Sequence, residues 1–404
     1  MLQTAVLCGL ICVGVGCRPS LGADAAAPTR AGEAEPEPEP DSSVSAPVSS
    51  TAERLDAVVT AWHDAGLFSG VVLVADEGEV VWQGAVGLAE VATARPNTVD
   101  TVFPIASLTK QLTAVLVMQQ VEQGTLQLDT TIAEVLPWYR RDTGERITVA
   151  HLLRHVSGLP DIDPAVYMQP DPRAAQARWL LDNHGSGDLR FEPGTNFGYT
   201  NTDYHVLTAM LEEVTGLGYE QLLAERILEP LGMQDSGIAR RDSDRRGWAV
   251  DYVPTEDGWI VAPAFRWENW QGAGAMRSTL ADLHRWNQAL SSNQLVSAET
   301  WKTMLTPLTD LPGGGNYVGL GSWVYPRALP GSELAPRLVE RRGAIGGYTI
   351  VNVLVADEDR WIVLLSNRYD EGMHTLPYAS CLPLDLLLVL YGLEPQGPPA
   401  PAEP

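Results

Sequence analysis

Two pairs of β-branched runs, one near each end of the chain, stand out in the pattern of apolar positions. Residues 70–75 and 80–86 flank a polar turn that contains glycine, and residues 348–356 and 361–367 flank a second polar turn. Each pair predicts a β-hairpin. Between the hairpins, most apolar positions follow helical spacing, interrupted by glycine and proline. The pattern therefore predicts an α/β domain: an antiparallel sheet built from N- and C-terminal segments, flanked by helices, with an inserted, mainly helical region.

Two further helices are predicted where this domain begins and ends. Leu55, Val58, Val59 and Trp62 follow the i, i+3, i+4, i+7 spacing of an amphipathic helix over residues 51–65. The apolar run 384–393 is interrupted by Asp385 and is too short for a membrane span, so we predict a buried terminal helix. The expected folded domain covers residues 51–393, and a Pro-rich tail covers residues 394–404.

The segment before this domain has a composition of its own. Residues 2–16 form an apolar stretch of secretory-signal length that ends at Gly14-Val15-Gly16-Cys17, which resembles a lipoprotein signal with Cys17 as the lipidated residue. An ordinary cleaved signal peptide over residues 1–17 is the alternative. Residues 18–50 are rich in Pro, Glu, Ala and Ser, which predicts a disordered tether. We expect an exported protein, either secreted or anchored through Cys17 at the periplasmic face of a membrane.

The charge of the chain limits its partners. The 51 Asp and Glu residues outnumber the 27 Lys and Arg residues, so the formal net charge is −24. No Lys/Arg-rich block occurs, which excludes a nucleic-acid partner. Three of the four cysteines lie within the first 17 residues, which excludes an internal disulfide framework in the rest of the chain. The only lysines are Lys110 and Lys302, so each of them is conspicuous.

Ser107 and Lys110 are the first candidates for chemistry. Ser107 follows an extended segment and opens a predicted helix, so its hydroxyl and the amine of Lys110, at i+3, lie within hydrogen-bonding reach. A serine nucleophile needs a base, and a lysine can serve when burial or nearby positive charge lowers its pKa. The alternative is that Ser107 is a helix N-cap and Lys110 is solvated. With 20 serines and 2 lysines in the chain, however, only about 0.1 occurrences of a serine three residues before a lysine are expected by chance.

Two other segments carry polar groups that could meet at one site. Tyr199 and Asn201 would point the same way from an extended stretch, presenting a phenol and an amide. Arg342, Gly343 and Ala344 lead into a strand, where small residues would let a substrate lie along the edge and backbone N–H groups could bind an oxyanion. Taken alone, the first segment is typical of a packing tyrosine and the second of a turn.

Together and in this order, the three segments resemble the motifs of the serine β-lactamase and D,D-peptidase superfamily: S-x-x-K, Y-x-N, and a Lys-Thr-Gly or His-Gly-Gly-like triplet. Residues 151–160 and 274–283 are also similar to its β-lactamase-related branch, which includes class C-type β-lactamases, D,D-carboxypeptidases, D-aminopeptidases and esterases. The resemblance runs from about residue 51 to residue 393.

The resemblance implies a role for each matching residue. Ser107 would be the acylated nucleophile, Lys110 the base, Tyr199 a proton relay and Asn201 a contact to the substrate amide. The backbone N–H groups of Ser107 and Ile345 would form the oxyanion hole.

The third motif departs from the family pattern. Arg342 stands where the family usually has lysine or histidine, and Ala344 replaces a glycine. Because arginine stays protonated, Arg342 with Gly343 and Ala344 could bind a substrate carboxylate, but Arg342 could not carry protons. Arg341 could exchange roles with Arg342.

Other chemistries have less support. His151 and His155 are spaced i, i+4, but the glutamate of the zinc-protease helix motif is replaced by Leu152, so we expect no metal and no cofactor. The G-x-S-x-G and nucleotide-binding motifs are absent. We predict a monomeric serine hydrolase that acts through an acyl-enzyme on a small ester, peptide or β-lactam. The alternative is a non-catalytic or slowly acylated binding or sensor module of the same fold.

Overall fold

The main sheet is built from both ends of the folded chain. In the computed structural model its strands are Gly70–Asp76 (β1), Glu79–Val86 (β2), Trp323–Pro326 (β10), Arg337–Ile345 (β11), Tyr348–Val355 (β12) and Arg360–Ser366 (β13). The spatial order is β10-β11-β12-β13-β1-β2, and every neighbouring pair is antiparallel. Both predicted hairpins, β1–β2 and β12–β13, are confirmed. β1 pairs with β13, so the N-terminal and C-terminal hairpins form one sheet, as predicted.

Helices flank this sheet and occupy much of the segment between the hairpins. Their bounds are Thr51–Asp64 (α1), Thr109–Glu122 (α2), Ile132–Val135 (α3), Arg141–Gly144 (α4), Val149–Leu153 (α5), Pro164–Tyr167 (α6), Ala177–Asn183 (α7), Thr202–Thr215 (α8), Tyr219–Leu223 (α9), Glu229–Leu231 (α10), Gln271–Gly274 (α11), Leu280–Ser291 (α12), Ala298–Met304 (α13) and Leu382–Leu390 (α14). Turns of 3-10 helix lie at Ala106–Leu108, Pro172–Ala175 and Trp267–Trp270, and a π-helical turn at Ala224–Leu228.

Short strands link the helical region to the sheet. They are Leu88–Glu90 (β3), Arg95–Pro96 (β4), Phe103–Pro104 (β5), Gly237–Ile238 (β6), Tyr252–Thr255 (β7), Gly258–Val261 (β8) and Met276–Ser278 (β9). Strands β5, β9 and β6 form a three-stranded sheet, whereas β3–β4 and β7–β8 are two-stranded. Because β5 ends directly before the 3-10 turn that carries Ser107, this small sheet fixes where the serine lies.

The structure describes residues 49–240, 245–256, 258–308, 317–369, 376 and 380–399. The chain divides into two units, Met1–Ser49 and Ser50–Pro404, and all of the helices and strands above belong to the second unit. The predicted signal segment, Cys17 and all of the predicted tether except residues 49 and 50 lie outside the described residues. Within the described ranges, no helix has the length and apolar character needed to cross a bilayer.

The main sheet separates two apolar layers. On one face, α1 and α14 pack on side chains such as Leu338 and Val351; on the other, α2, α8 and α12 pack on side chains such as Val339 and Ile350. The alternation along β11 and β12 follows from the two-residue period of a strand. The catalytic candidates lie on the second face.

The predicted terminal helix is α14, which is buried along its length, including Asp385. The carboxylate of Asp385 accepts a hydrogen bond from the indole N–H of Trp62 on α1 at 2.8 Å, and others from the backbone N–H groups of Gln396 and Gly397. A buried carboxylate needs such donors, so Asp385 joins the first and last helices of the fold.

Candidate active site

Ser107 and Lys110 are held by a sharp turn at the start of α2. After β5 the chain passes through Ala106 in the left-handed region, at φ 47°, and forms the 3-10 turn before α2 begins at Thr109. Positive φ is strained for a residue other than glycine. A 2.7 Å hydrogen bond from Thr109 Oγ1 to the Ala106 carbonyl oxygen ties the turn together. The turn leaves Ser107 partly exposed and buries Lys110 completely.

The Lys110 amine lies among three oxygens. Its Nζ is 3.1 Å from Ser107 Oγ, 2.8 Å from Asn201 Oδ1 and 2.6 Å from the carbonyl oxygen of Ala273. The amide and carbonyl oxygens only accept hydrogen bonds, so they bind two N–H groups of the amine whether it is charged or neutral. In the neutral amine, the lone pair then remains for the hydroxyl proton of Ser107. This geometry suits Lys110 as the base that activates the serine.

The surroundings of Lys110 favour its neutral form. Burial lowers the pKa of Lys110, because the charged amine loses its hydration. The guanidinium of Arg341 lowers that pKa further, whereas Tyr199 and Asp161 act in the opposite direction. The net direction is downward from the ordinary lysine value, as a lysine base requires.

Tyr199 is the third member of the cluster. Its phenol oxygen is 2.8 Å from Ser107 Oγ, and its ring centre is 5.1 Å from Lys110 Nζ. Burial alone would raise the pKa of Tyr199, but the charges of Lys110 and Arg341, with the hydrogen bond to Ser107, outweigh it and lower the pKa. The ring of His155, 4.4 Å away between centres, packs on Tyr199. The phenol is therefore placed to exchange a proton with the serine.

Asn201 directly precedes α8 and uses both ends of its amide. Oδ1 accepts from Lys110 Nζ at 2.8 Å, and Nδ2 donates to Asp161 Oδ2 at 3.1 Å. The structure thus brings Asn201 into the cluster through its contact with the base. The contact to a substrate amide that the sequence implies stays a prediction, and it would use the second lone pair or second N–H of the same group.

Strand β11 directs Arg341 and Arg342 to opposite faces of the sheet. The side chain of Arg341 faces the cluster: the residue is 2% exposed and Nε donates to the Ser107 carbonyl oxygen at 3.0 Å. The ring of Trp323, at the edge of the sheet, is close to both guanidinium groups, 4.7 Å from Arg341 Cζ and 5.1 Å from Arg342 Cζ. Arg342 Nε lies 3.1 Å from Glu340 Oε1, on the face that α1 and α14 cover. The sequence pattern assigned the site to Arg342, with Arg341 as the alternative. The structure places Arg341, and not Arg342, beside Ser107.

Gly343 lets β11 approach the serine closely. A Cβ at this position would lie 2.5 Å from the Ile105 carbonyl oxygen and 2.9 Å from the Ser107 nitrogen, both closer than van der Waals contact allows. The predicted small residue is therefore required by the packing of the 3-10 turn on β11. Gly343 shares the face of Arg341, as expected two residues along a strand.

The backbone of β11 presents an edge beyond Glu340, where its pairing with β10 ends. Backbone groups in an antiparallel strand point alternately to one neighbour and to the other. The carbonyl oxygen of Arg337 accepts a hydrogen bond from the Ala356 N–H, on the β12 side of the strand. Ile345 is paired with Tyr348 across a two-residue turn, an even number of residues further along β11. The N–H of Ile345 is consequently directed to β12. The N–H of Ala344 is directed to the edge, so Ala344 replaces Ile345 as the group placed for an oxyanion.

The two histidines considered for zinc have separate structural roles. The ring of His151 accepts a hydrogen bond from the Thr148 backbone N–H at 3.2 Å and caps α5, whereas His155 packs on Tyr199. Among the residues described by the structure, no group of three or more His, Cys, Asp or Glu side chains could hold a metal ion.

Comparison with known proteins identifies the family. A family model described as Beta-lactamase matches residues 51–379. The chain belongs to the β-lactamase family of serine hydrolases. The resemblance drawn from the three motifs is confirmed, and with it the expectation of an enzyme of the serine hydrolase class.

Individual relatives of this β-lactamase-family chain carry different names. Penicillin-binding protein 4* of Bacillus subtilis (strain 168) is 26% identical over 320 residues, which are 75% of this chain and 69% of that protein. Esterase EstB of Burkholderia gladioli is 34% identical over 218 residues, covering 50% of this chain and 55% of the esterase. The solved D-amino acid amidase of Ochrobactrum anthropi SV3 superimposes with a TM-score of 0.72 at 23% identity, covering 85% of this chain and 99% of the amidase. This last match shows the fold, which is the predicted one.

Two residues of the site were missed or misplaced by the sequence pattern: Asp161 was not predicted, and Arg341 stood second to Arg342. Asp161 follows the similar stretch 151–160 directly, and an acid at that point was the available signal. For the arginines, Val339 and Ile345 alternate with polar residues along β11, which indicates an apolar face of the strand. The alternation does not indicate whether Ser107 lies on that face. Both omissions concern contacts between segments that are far apart in the chain.

Proposed function

We propose that this β-lactamase-family enzyme is an exported hydrolase that cleaves an ester or amide through an acyl-enzyme formed on Ser107. The observation that carries the proposal is the bonding of Lys110: two acceptor oxygens bind its N–H groups and leave the lone pair for the serine proton, 3.1 Å away. The lowered pKa of Lys110 supports the same assignment.

Acylation would proceed in two proton movements. Lys110 takes the Ser107 proton as the serine oxygen bonds to the substrate carbonyl carbon. The carbonyl oxygen becomes negative and binds the N–H groups of Ser107 and Ala344. When the bond to the leaving group breaks, a proton reaches the leaving alcohol or amine through Tyr199, whose phenol lies 2.8 Å from Ser107 Oγ. Water then attacks the acyl group, with the same groups moving protons in the reverse sense.

Arg341 would act here as a fixed positive charge. It is held by the Ser107 carbonyl oxygen and packs over Trp323, and it lies on the cluster side of β11. Because arginine stays protonated, it favours the neutral form of Lys110, and it stabilises the phenolate of Tyr199 when the phenol gives up its proton, without carrying protons itself. Its position near the edge of β11 also supports a contact with an anionic group of the substrate, a role that the sequence predicted for Arg342.

For substrates, we propose small esters and amides, including amides and peptides of D-amino acids and β-lactams. The names of the relatives support this range, since they include an esterase, a D-amino acid amidase and a penicillin-binding protein.

The test is labelling and turnover in parallel. Mass spectrometry after incubation with a fluorophosphonate should find one adduct, on Ser107, and Ser107→Ala should lose both the adduct and the turnover of p-nitrophenyl esters, nitrocefin or D-Ala-D-Ala peptides. A wild-type protein without an adduct, or a Ser107→Ala variant as active as the wild type, would refute the proposal. An adduct without multiple turnover of any of these substrates would favour the sensor alternative.

We also propose that the chain is lipidated on Cys17. The support is the sequence Gly14-Val15-Gly16-Cys17 after an apolar stretch and before a Pro- and Glu-rich segment. Loss of membrane fractionation in Cys17→Ser is expected. Unchanged fractionation would show that the cysteine is not the anchor.

A further inference from the structure

The Asp161 carboxylate collects hydrogen bonds from the segment that carries Asn201. Oδ1 accepts from the backbone N–H of Asn201 at 2.8 Å, from Thr200 Oγ1 at 3.0 Å, and from the N–H groups of Ile162 and Thr202 at 3.1 and 3.3 Å. Oδ2 accepts from Asn201 Nδ2 at 3.1 Å. Every one of these partners is a donor, which suits an ionised carboxylate and no other side chain of this size. Asp161 therefore ties the start of α8 to the loop that follows α5.

The contact at Oδ2 decides which way the Asn201 amide faces. With Nδ2 on the carboxylate, Oδ1 is directed to Lys110 Nζ, 2.8 Å away. Turning the amide over would bring its oxygen against the carboxylate, where the two acceptors repel, and its N–H₂ group against the amine, where it would occupy the lone pair of the neutral form. The orientation of Asn201 is thus set by Asp161.

We propose that Asp161 is a positioning residue for the base: by orienting Asn201, it directs the lone pair of neutral Lys110 at the Ser107 hydroxyl. The inference rests on the proposed function, in which Lys110 deprotonates Ser107. Asp161 touches neither the serine nor the amine in this scheme; it acts through one amide. Because the arrangement depends on the side chains at positions 161 and 201, one substitution should disrupt it and a second should restore it.

The charged and titratable groups around Lys110 come from every element packed against it. Tyr199 and Asp161 lie on the loops, Arg341 lies on β11, and the side chains of His155, Asp203 and His205 also interact with the amine electrostatically. Asp161 raises the pKa of Lys110, and Arg341 lowers it. A change at Asp161 must therefore move the pH at which the base becomes neutral, in a direction that can be predicted.

Asp161→Asn should turn the Asn201 amide over, so that the lone pair of Lys110 is no longer directed at Ser107. The N–H₂ group of the new amide is placed with least conflict at the former Oδ2 position, since the other oxygen faces the backbone donors. Asn201 then turns over to accept, and its own N–H₂ group faces Lys110 in place of Oδ1. We expect the rate of Ser107 labelling to fall by about 10- to 100-fold, part of the roughly 10²–10⁴-fold that general acid–base catalysis supplies. The rise of that rate with pH should move to lower pH, because a charge that favoured protonated Lys110 is gone.

The exchange variant Asp161→Asn/Asn201→Asp should rebuild the geometry. Its amide at position 161 can donate to the carboxylate at position 201, which accepts from Lys110 in turn. We expect labelling at saturating pH to recover most of the loss. Since a carboxylate now touches the amine, the rise of the rate with pH should lie above the wild-type position.

The experiment is the rate of fluorophosphonate labelling at Ser107, followed by mass spectrometry from about pH 5 to pH 10. Asp188→Asn is the matched control, since the Asp188 side chain is 94% exposed. Loss of the labelling rate at saturating pH in Asp161→Asn, with recovery of most of that loss in the exchange variant, supports the positioning role. An Asp161→Asn variant that is labelled as fast as the wild type at saturating pH, or an exchange variant that recovers none of the loss, would overturn it, whatever the displacement of the profiles.

The two proposals fail differently. A wild-type protein that takes no label at Ser107 refutes the hydrolase proposal, whereas an exchange variant that is labelled no faster than Asp161→Asn at saturating pH refutes only the role of Asp161. If Asp161→Asn alone does not fold, as judged by circular dichroism, the exchange variant decides: a labelling rate at saturating pH near that of the wild type supports the inference, and a rate lower by about 10-fold or more overturns it.

Discussion

Replacing Arg341 by methionine should move the pH dependence of acylation upward. Arg341 lowers the pKa of Lys110, so its removal raises the pKa of the base. The base must be neutral to accept the Ser107 proton, and the activity of a neutral base is lost as pH falls through its pKa. With a higher pKa, that loss begins at higher pH. Methionine keeps the length of the side chain over Trp323 without the charge.

The size of the displacement follows from the positions of the two cations. Lys110 Nζ lies 5.1 Å and Arg341 Cζ 5.8 Å from the ring centre of Tyr199, so the charges are separated by at most about 11 Å. At an effective dielectric constant of about 20, two unit charges at that distance repel by about 1.5 kcal/mol. That energy corresponds to about one pH unit. We therefore expect a displacement of one unit or more.

The assay is the rate of Ser107 labelling by a fluorophosphonate as a function of pH, with Arg342→Met as the comparison. Arg342 pairs with Glu340 on the opposite face of β11, so its removal should lower the free energy of unfolding, measured in urea, and leave the pH profile in place. A profile that stays unmoved in Arg341→Met, or that moves equally in both variants, would refute the electrostatic role of Arg341.

Three further changes test separate parts of the fold and site. Gly343→Ala should reduce Ser107 labelling by about 100-fold, because the methyl group displaces the serine turn; a normal rate would contradict the close packing. Tyr199→Phe should lower ester turnover by about 10²-fold or more through loss of the relay, and unchanged turnover would remove Tyr199 from the scheme. Asp385→Leu should lower the free energy of unfolding in urea by about 1–3 kcal/mol, since the Trp62 N–H loses its acceptor, while labelling stays normal; equal stability would show that water replaces the carboxylate.

The parts of the fold that the sequence predicted well are local and strongly patterned. The hairpins β1–β2 and β12–β13 are continuous β-branched runs around short polar turns, and α1 has an unbroken apolar stripe. The pairing of Ser107 with Lys110 needed only the spacing of a helix, and the helical geometry does place their atoms 3.1 Å apart. Such features depend on residues that are neighbours in the chain.

The parts of the site that the sequence left open depend on contacts across the fold. In a strand, a shift of one residue exchanges the two faces, and the pair Arg341-Arg342 carries no local signal that separates them. Likewise, Ile345 and Ala344 differ in the direction of their N–H groups only because β11 pairs with β12 in one register. Asp161 gains its partners from residues about 40 positions away, so no spacing rule could find it.

The choice of arginine at position 341 has a consequence for the pH response that a histidine variant can reveal. An imidazole at this buried position should be neutral over the working range, because burial, with the charge of Lys110, already lowers the pKa of another buried imidazole near the amine, that of His205, to about 3. Arg341→His should therefore show the same upward-displaced profile as Arg341→Met. A profile that matches the wild type would mean that the imidazole is charged beside Lys110, and that burial on this face of β11 is weaker than the 2% exposure of Arg341 indicates.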